Sequence, residues 1–265
     1  YHFRKDTAGI RGMKDIHSKR VDYIKYNSSR KPEFAIKTEI LTEKKGEKFV
    51  LKEGITKEAN AHIESLPEKR KLMEAFFSDR NVSVLEEVQF HRAYESSDSL
   101  SYIAYPFLKG KSISEILGEL ITDGKAPVKE ITEALVLLLG REEWIQPANY
   151  DLLFENVLMV QDKAMLIDCE WVFPEGVERS FLEYRILHYW YESYKYKLKY
   201  RDEESFFRLF SVGKAELLSA EKKEREFQKK VHGEGEESNI WAYRSQRFSP
   251  ENFQKQKEVI SEKEK

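Results

Sequence analysis

Two short apolar runs, Val157-Leu158-Met159-Val160 and Ala164-Met165-Leu166-Ile167-Asp168, flank the polar break Gln161-Asp162-Lys163 and constrain this chain most tightly. A β-hairpin is the compact solution for such a pattern. The pattern predicts strands over 157–160 and 164–168, a three-residue loop at 161–163, and antiparallel pairing of Val160 with Ala164 and Val157 with Ile167. That register carries Asn156 and Asp168 to the open end together, one irregular turn after Asp151. An Asn and two Asp side chains gathered there form an oxygen-rich cluster suited to Mg²⁺ and to taking a proton from an alcohol. Each residue also has an ordinary use: Asp151 can cap a turn, Asn156 can open a strand and Asp168 can close one. Their joint occurrence carries the information.

Asp151, Asn156 five residues later, and a hairpin ending in Asp168 resemble the catalytic core of the protein-kinase-like superfamily, which includes protein kinases and the aminoglycoside and choline phosphotransferases. The resemblance implies an α+β, bilobal fold with an antiparallel-sheet N-lobe and a mainly helical C-lobe. It also implies ATP and Mg²⁺, with Asp151 as the base for an acceptor hydroxyl and Asn156 and Asp168 as metal ligands. The chain departs from protein kinases at Asn149-Tyr150, where they carry His-Arg, and at Cys169-Glu170-Trp171, where they carry Phe-Gly. It is closer in appearance to kinases of small molecules and glycans.

Composition leaves room for this reading. With 265 residues, 40% of them hydrophobic, the chain can build one large or two small lobes around real cores. Its 45 basic and 47 acidic side chains nearly cancel, to a net charge of −2, which gives no electrostatic case for nucleic acid. The single cysteine, Cys169, excludes an intrachain disulfide and suits a cytoplasmic setting. The longest apolar run, Ala134 to Leu139, is far short of the roughly 20 residues that span a bilayer. The chain starts at Tyr1 and stops inside a charged stretch, which reads as a domain cut from a longer protein.

Residues 1–20 read as a connector and 21–108 as the N-lobe. Strands are expected over 21–26, 34–41 and 48–52, joined as a meander. The third ends in Lys52, 99 residues before Asp151; by the resemblance this is the lysine that grips the nucleotide phosphates. The loop from Asn27 to Glu33 stands where kinases place a Gly-rich loop, yet it holds no glycine. Ser28, Ser29 and Arg30 either supply donors to a phosphate in its place or form a solvated turn. A helix is expected from Thr56 to Leu66, and Glu58 is the favoured partner for Lys52, with Glu68 as the other candidate. Residues 69–77 continue helically. Strands over 82–94 and 99–108 follow, and the second runs into the segment Tyr105 to Leu108. The resemblance makes that segment the lobe connection, with Tyr105 and Phe107 at the adenine.

Residues 109–235 read as the C-lobe. Ser112 and Glu115 form a capping box, and Pro127 and Gly140 bracket a further helix that buries Ile131, Leu135 and Leu138. Between 181 and 200, Phe181, Tyr184, Leu187, Tyr191, Tyr194 and Leu198 recur at helical spacing, the pattern of a packed face. Tyr189 and Trp190 lie off that stripe and are free to stack on sugar rings. Residues 221–238 read as a solvated charge run, and 236–265 as a linker and last helix leading into a coiled coil that could oligomerise.

The segment Asp168 to Phe173, with Arg30 to Phe34 and the late charged helix, resembles kinase-like domains of bacterial glycan-assembly proteins, such as the kinase–methyltransferases that cap O-antigen chains. This implies a small-molecule or glycan acceptor, polysaccharide biosynthesis, flanking domains and a place at the cytoplasmic face of the membrane. The alternative is a catalytically inactive pseudokinase, a nucleotide-binding or protein-docking scaffold in glycan assembly. The missing glycines favour it, whereas the joint presence of Lys52, Asp151, Asn156 and Asp168 favours an enzyme.

Overall fold

A computed structural model describes residues 19–27, 29–93, 99–200 and 202–233. Most of the 1–20 connector, Ser28, and the expected linker and helix over 236–265 lie outside these residues.

The N-terminal part is a five-stranded antiparallel sheet. β1 (Arg20–Tyr26), β2 (Ile36–Thr42) and β3 (Lys48–Gly54) form the expected meander. The chain then runs through α1 (Asn60–Glu64), α2 (Leu66–Phe76), β4 (Val82–Val84), β5 (Gln89–His91) and β6 (Tyr102–Pro106). The sheet order is β1-β2-β3-β6-β5. Side chains alternate across a strand, so Lys25, Thr38 and Lys52, paired in register across β1, β2 and β3, share one face.

Two differences from the sequence reading lie here. Thr56 caps only a turn: its hydroxyl accepts from Ala59 N at 3.3 Å and donates to the Pro32 carbonyl at 2.7 Å. The helix therefore starts at Asn60, and Pro67 opens α2, where its missing N–H costs nothing. Residues 82–94 are not one strand. Leu85 N bonds to Leu166 O and Val88 N to Ala104 O, so the chain steps from one sheet to another between β4 and β5.

The remaining elements are β7 (Lys111–Ser112), α3 (Ile113–Glu119), α4 (Val128–Leu139), β8 (Trp144–Ile145), β9 (Ala148–Asn149), β10 (Val157–Val160), β11 (Lys163–Leu166), β12 (Val172–Phe173), β13 (Val177–Glu178), α5 (Arg179–Tyr194), α6 (Glu203–Phe207) and α7 (Lys214–His232). A second sheet, ordered β4-β11-β10-β7, carries the hairpin. The capping box forms: Glu115 N donates to Ser112 Oγ at 3.1 Å and Ser112 N to Glu115 Oε2 at 2.8 Å, contacts worth about 1 kcal/mol at a helix start. Pro127 precedes α4, and Gly140 ends it at φ +74°, a conformation open to glycine. The architecture is α+β, a sheet lobe followed by a mainly helical one.

The core of the helical lobe is aromatic. Phe154, Phe181, Trp190, Phe206 and Phe207 are almost wholly buried. Trp190 donates from Nε1 to Ser114 O at 3.3 Å, so it packs inside and is not a sugar platform. α7 is the largest departure. Its charges suggested a solvated end, but Leu217, Ala220, Glu224, Phe227 and Val231 are buried along one face.

Candidate active site

The hairpin turns on two residues, not three. Gln161 and Asp162 have φ of 49° and 63°, left-handed values that match the twist of a two-residue hairpin turn. Val160 therefore pairs with Lys163 and Val157 with Leu166, one residue from the expected register. Ile167 N donates to Asn156 O at 2.9 Å, and Asp168 follows just past the last pair.

The loop ahead of β10 is tied to itself. Asp151 N donates to Asn149 Oδ1 at 2.8 Å, and Asn156 Nδ2 donates to Asp151 O at 2.9 Å. Trp171 N donates to Asp151 Oδ2 at 3.0 Å, which fixes the carboxylate against the segment after the hairpin and leaves Oδ1 for another partner. Lys52 Nζ donates to Asp168 Oδ1 at 2.7 Å and lies 3.7 Å from Glu170 Oε2. Thus Lys52, Asp151, Asn156 and Asp168 line one cavity of about 330 Å³, together with Arg30 and Glu170.

Glu170 takes the place foreseen for a helix carboxylate. Glu58 is exposed in the turn ahead of α1, and Glu68 is exposed on α2, where it meets Lys71 at 2.8 Å. The physical reason is the late start of α1, which turns His62 inward. His62 Nε2 lies 3.0 Å from Glu170 Oε1, Arg30 pairs with the same oxygen, and Lys69 Nζ donates to Glu170 O at 2.7 Å. Arg30 therefore rests on a carboxylate.

Tyr105 is half-buried on β6 beside Ile36, Ile63, Leu66 and Ile103, and burial raises the pKa of its hydroxyl. Phe107 follows the strand, with its N–H donating to Lys48 O at 3.0 Å. Neither lines the 330 Å³ cavity.

The charges follow from crowding. Burial, then the Asp168 and Glu170 carboxylates, push Asp151 up to about 7, against the pull of Lys52. Burial also works against the Lys52 ammonium, but Asp168 and Glu170 outweigh it and hold its pKa above the ordinary lysine range. Burial would likewise raise Glu170, yet Arg30, His62 and Lys52 keep it well below the usual carboxylate range. Burial lowers His62, which favours the neutral ring.

Carboxylate oxygens of Asp151, Asp168 and Glu170 approach within 4.8 Å of one another. Repelling carboxylates in a buried site gain most from a cation, and an oxygen-only donor set is that of Mg²⁺ or Ca²⁺. The residues present fit such an ion, held by Asp168 with Asn156 or Glu170.

No family model matches the sequence, and no curated protein matches it significantly. Solved structures similar to it include a macrolide 2'-phosphotransferase type I, at 14% identity and TM-score 0.39, covering 82% of this chain and 96% of that one. Another is the amicoumacin kinase hAmiN in complex with AMP-PNP, Ca²⁺ and Ami, at 12% identity and TM-score 0.42, covering 71% and 70%. The kinase domain of Mycobacterium tuberculosis PknI matches at 12% identity and TM-score 0.37, covering 63% and 71%. Likeness at this level assigns no residue a role.

Glu170, His62, Arg185 and Glu224 were not singled out from sequence. For Glu170 a signal existed, since residues two apart in an extended segment share a face. Glu224 stands at an apolar position of the heptad-spaced row Leu217, Ala220, Glu224, Phe227, Val231, a mismatch that marks a buried charge. His62 and Arg185 gave no such signal.

Proposed function

We propose that this protein is a phosphotransferase that passes the terminal phosphoryl group of ATP to an alcohol hydroxyl, assisted by Mg²⁺ at Asp168 and Asn156. The meeting of Lys52 with Asp168 at 2.7 Å, in the cavity that also holds Asp151 and Asn156, carries the reading. Lys52 stays charged and offers its ammonium to the phosphates. The raised pKa of Asp151, about 7, suits a group that takes a proton near neutrality, and its free Oδ1 is the receiving atom. The acceptor oxygen bonds to the γ-phosphorus as the bond to the β,γ-bridging oxygen breaks; ADP leaves and the hydroxyl proton passes to Asp151. Mg²⁺, when bound, supplies positive charge that offsets the charge of the phosphates.

We assign the acceptor to hydroxyl-rich small molecules or glycan ends. Polar side chains of Asn27, Thr38, Glu155 and Gln228, which line the same cavity as Asp151, support this, as does the resemblance of the Asp168 to Phe173 segment to glycan-assembly kinases. A role in polysaccharide assembly, with flanking domains and a coiled coil at the cytoplasmic membrane face, belongs to the same proposal. No helix among the described residues is long and apolar enough to cross a membrane.

One observation favours a second reading, a docking scaffold without turnover. Lys52 and Arg30, the cations offered to phosphates, are both already held by carboxylates. Melting temperature with and without ATP and Mg²⁺ separates the two, because a ligand of the native state must raise it, by about 2.7 kcal/mol of stability at a hundredfold excess over Kd. A metal-dependent rise that Asp168→Asn loses supports the enzyme. No rise at millimolar nucleotide supports the scaffold.

A further inference from the structure

We infer that Arg185, held by Glu224, is a positioning residue for the catalytic loop, so that α7 completes the active site from outside the hairpin region. This rests on the phosphotransferase reading of the same site. Arg185 lies on α5 and is buried, as is Glu224 on α7. Arg185 Nε donates to Tyr150 O at 3.1 Å, the carbonyl immediately before Asp151. Its other arm pairs with Glu224 Oε2. Glu224 Oε1 accepts from Tyr189 Oη at 3.0 Å and from Gln228 Nε2 at 2.8 Å, so both carboxylate oxygens are engaged.

The guanidinium is also enclosed by aromatic faces, 5.4 Å from the Tyr150 ring, 5.4 Å from Tyr189 and 5.0 Å from Phe227. Phe227 comes from α7 and contacts Trp171 at 5.3 Å between ring centroids. Trp171 in turn donates its N–H to Asp151 Oδ2. Asp151 is therefore gripped from two sides, through the Tyr150 carbonyl by Arg185 and through the Trp171 amide by the ring packing of Phe227. A buried ion pair contributes little net stability for its cost, and a fixed geometry is the better-attested use of one. A planar guanidinium can hold a carbonyl and a carboxylate at once; an ammonium lacks that fork.

The test compares wild type with Arg185→Lys and Glu224→Gln in steady-state ADP release from Mg²⁺-ATP with water as acceptor, alongside ATP-dependent melting shifts. Displacement of a reacting group by about 1 Å can cost roughly 100-fold in rate. Arg185→Lys is expected to lower kcat by roughly that factor, with KM for ATP and the ATP-dependent shift unchanged, since the phosphates would be held by Lys52 and by the metal at Asp168, neither of which Arg185 touches. Glu224→Gln, which keeps the size of the side chain, is expected to lower kcat by about tenfold. If Arg185→Lys does not fold, Glu224→Gln alone decides. Unchanged kcat in the folded variants overturns the inference, as does a parallel change of kcat, KM and melting temperature, the mark of a merely structural role. Wild type with neither ADP release nor an ATP-dependent shift overturns the phosphotransferase reading, and this inference with it.

Discussion

Lys52 Nζ meets Asp168 Oδ1 at 2.7 Å across 116 residues of sequence, joining the third strand of the sheet to the end of the hairpin. Lys52 is buried, and Glu170 Oε2 stands 3.7 Å away. Lys52→Met removes the ammonium that the sheet places between these two carboxylates. Loss of one partner of a buried pair costs about 3–5 kcal/mol. We expect a fall of that order in urea unfolding and no ATP-dependent rise in melting temperature. A stable variant that still binds ATP would show that the pair is dispensable.

Asp151→Asn keeps the size and the acceptor for Trp171 N but removes the carboxylate proposed as the base. General-base loss typically costs about 10²–10⁴ in rate. ADP formation in single-turnover assays should fall by that factor while the ATP-dependent melting shift persists. Retained turnover would assign the proton to another group.

Glu170 is the node between the lobes, touched by Arg30, His62 and the Lys52 ammonium. Glu170→Ala leaves the Lys52 ammonium of β3 and the Arg30 guanidinium of the loop before β2 without the carboxylate they share. Destabilisation by about 3–5 kcal/mol is the expected outcome, measured by urea unfolding. Arg30→Ala, which removes a single spoke, should cost less than half as much. Equal losses would mean that the Arg30 contact alone carries the junction.

The strands and most helices were legible because their signals are local: alternation in β1 to β3, a Ser112 and Glu115 box, Pro127 and Gly140 as brackets. The site was legible in its hairpin segment, where Asp151, Asn156 and Asp168 are close in sequence, and at Lys52 and Arg30, which line the same cavity. Glu58 was favoured as partner of Lys52 because a helix from Thr56 would have begun there, and a side-chain cap on a mere turn cannot be told from a helix cap without the fold. The carboxylates actually beside Lys52 are Asp168, 116 positions away at 2.7 Å, and then Glu170 at 3.7 Å, both brought there by the hairpin and the path after it. α7 was misread because its ten charged side chains mask a five-residue stripe whose spacing was present in the sequence but interrupted by Glu224.

Gly110 stands where the chain leaves β6 for the helical lobe, and a Cβ there would lie 2.6 Å from Met159 O on the hairpin. A backbone carbonyl cannot swing aside as a side chain can. Gly110→Ala should therefore push β7 from β10 and cost about 1–3 kcal/mol, as overpacking does. Urea unfolding reads the loss; a neutral result would show that the connection can shift freely.

The hairpin turn offers the opposite experiment. Gln161 and Asp162 both occupy left-handed backbone values, 49° and 63°, where a side chain such as Gln is penalised and Asn or Gly is not. The double change Gln161→Asn, Asp162→Gly leaves every site residue in place and favours the turn already formed. A gain of about 1 kcal/mol, or some 2–4 °C in Tm for a chain of this size, is expected. Activity should not move, because Val157 still pairs with Leu166 and Asp168 still follows the last pair. A drop in stability would mean that the turn seen here is not the one the chain prefers, and would restore the three-residue loop, with Asn156 and Asp168 displaced by one position relative to each other.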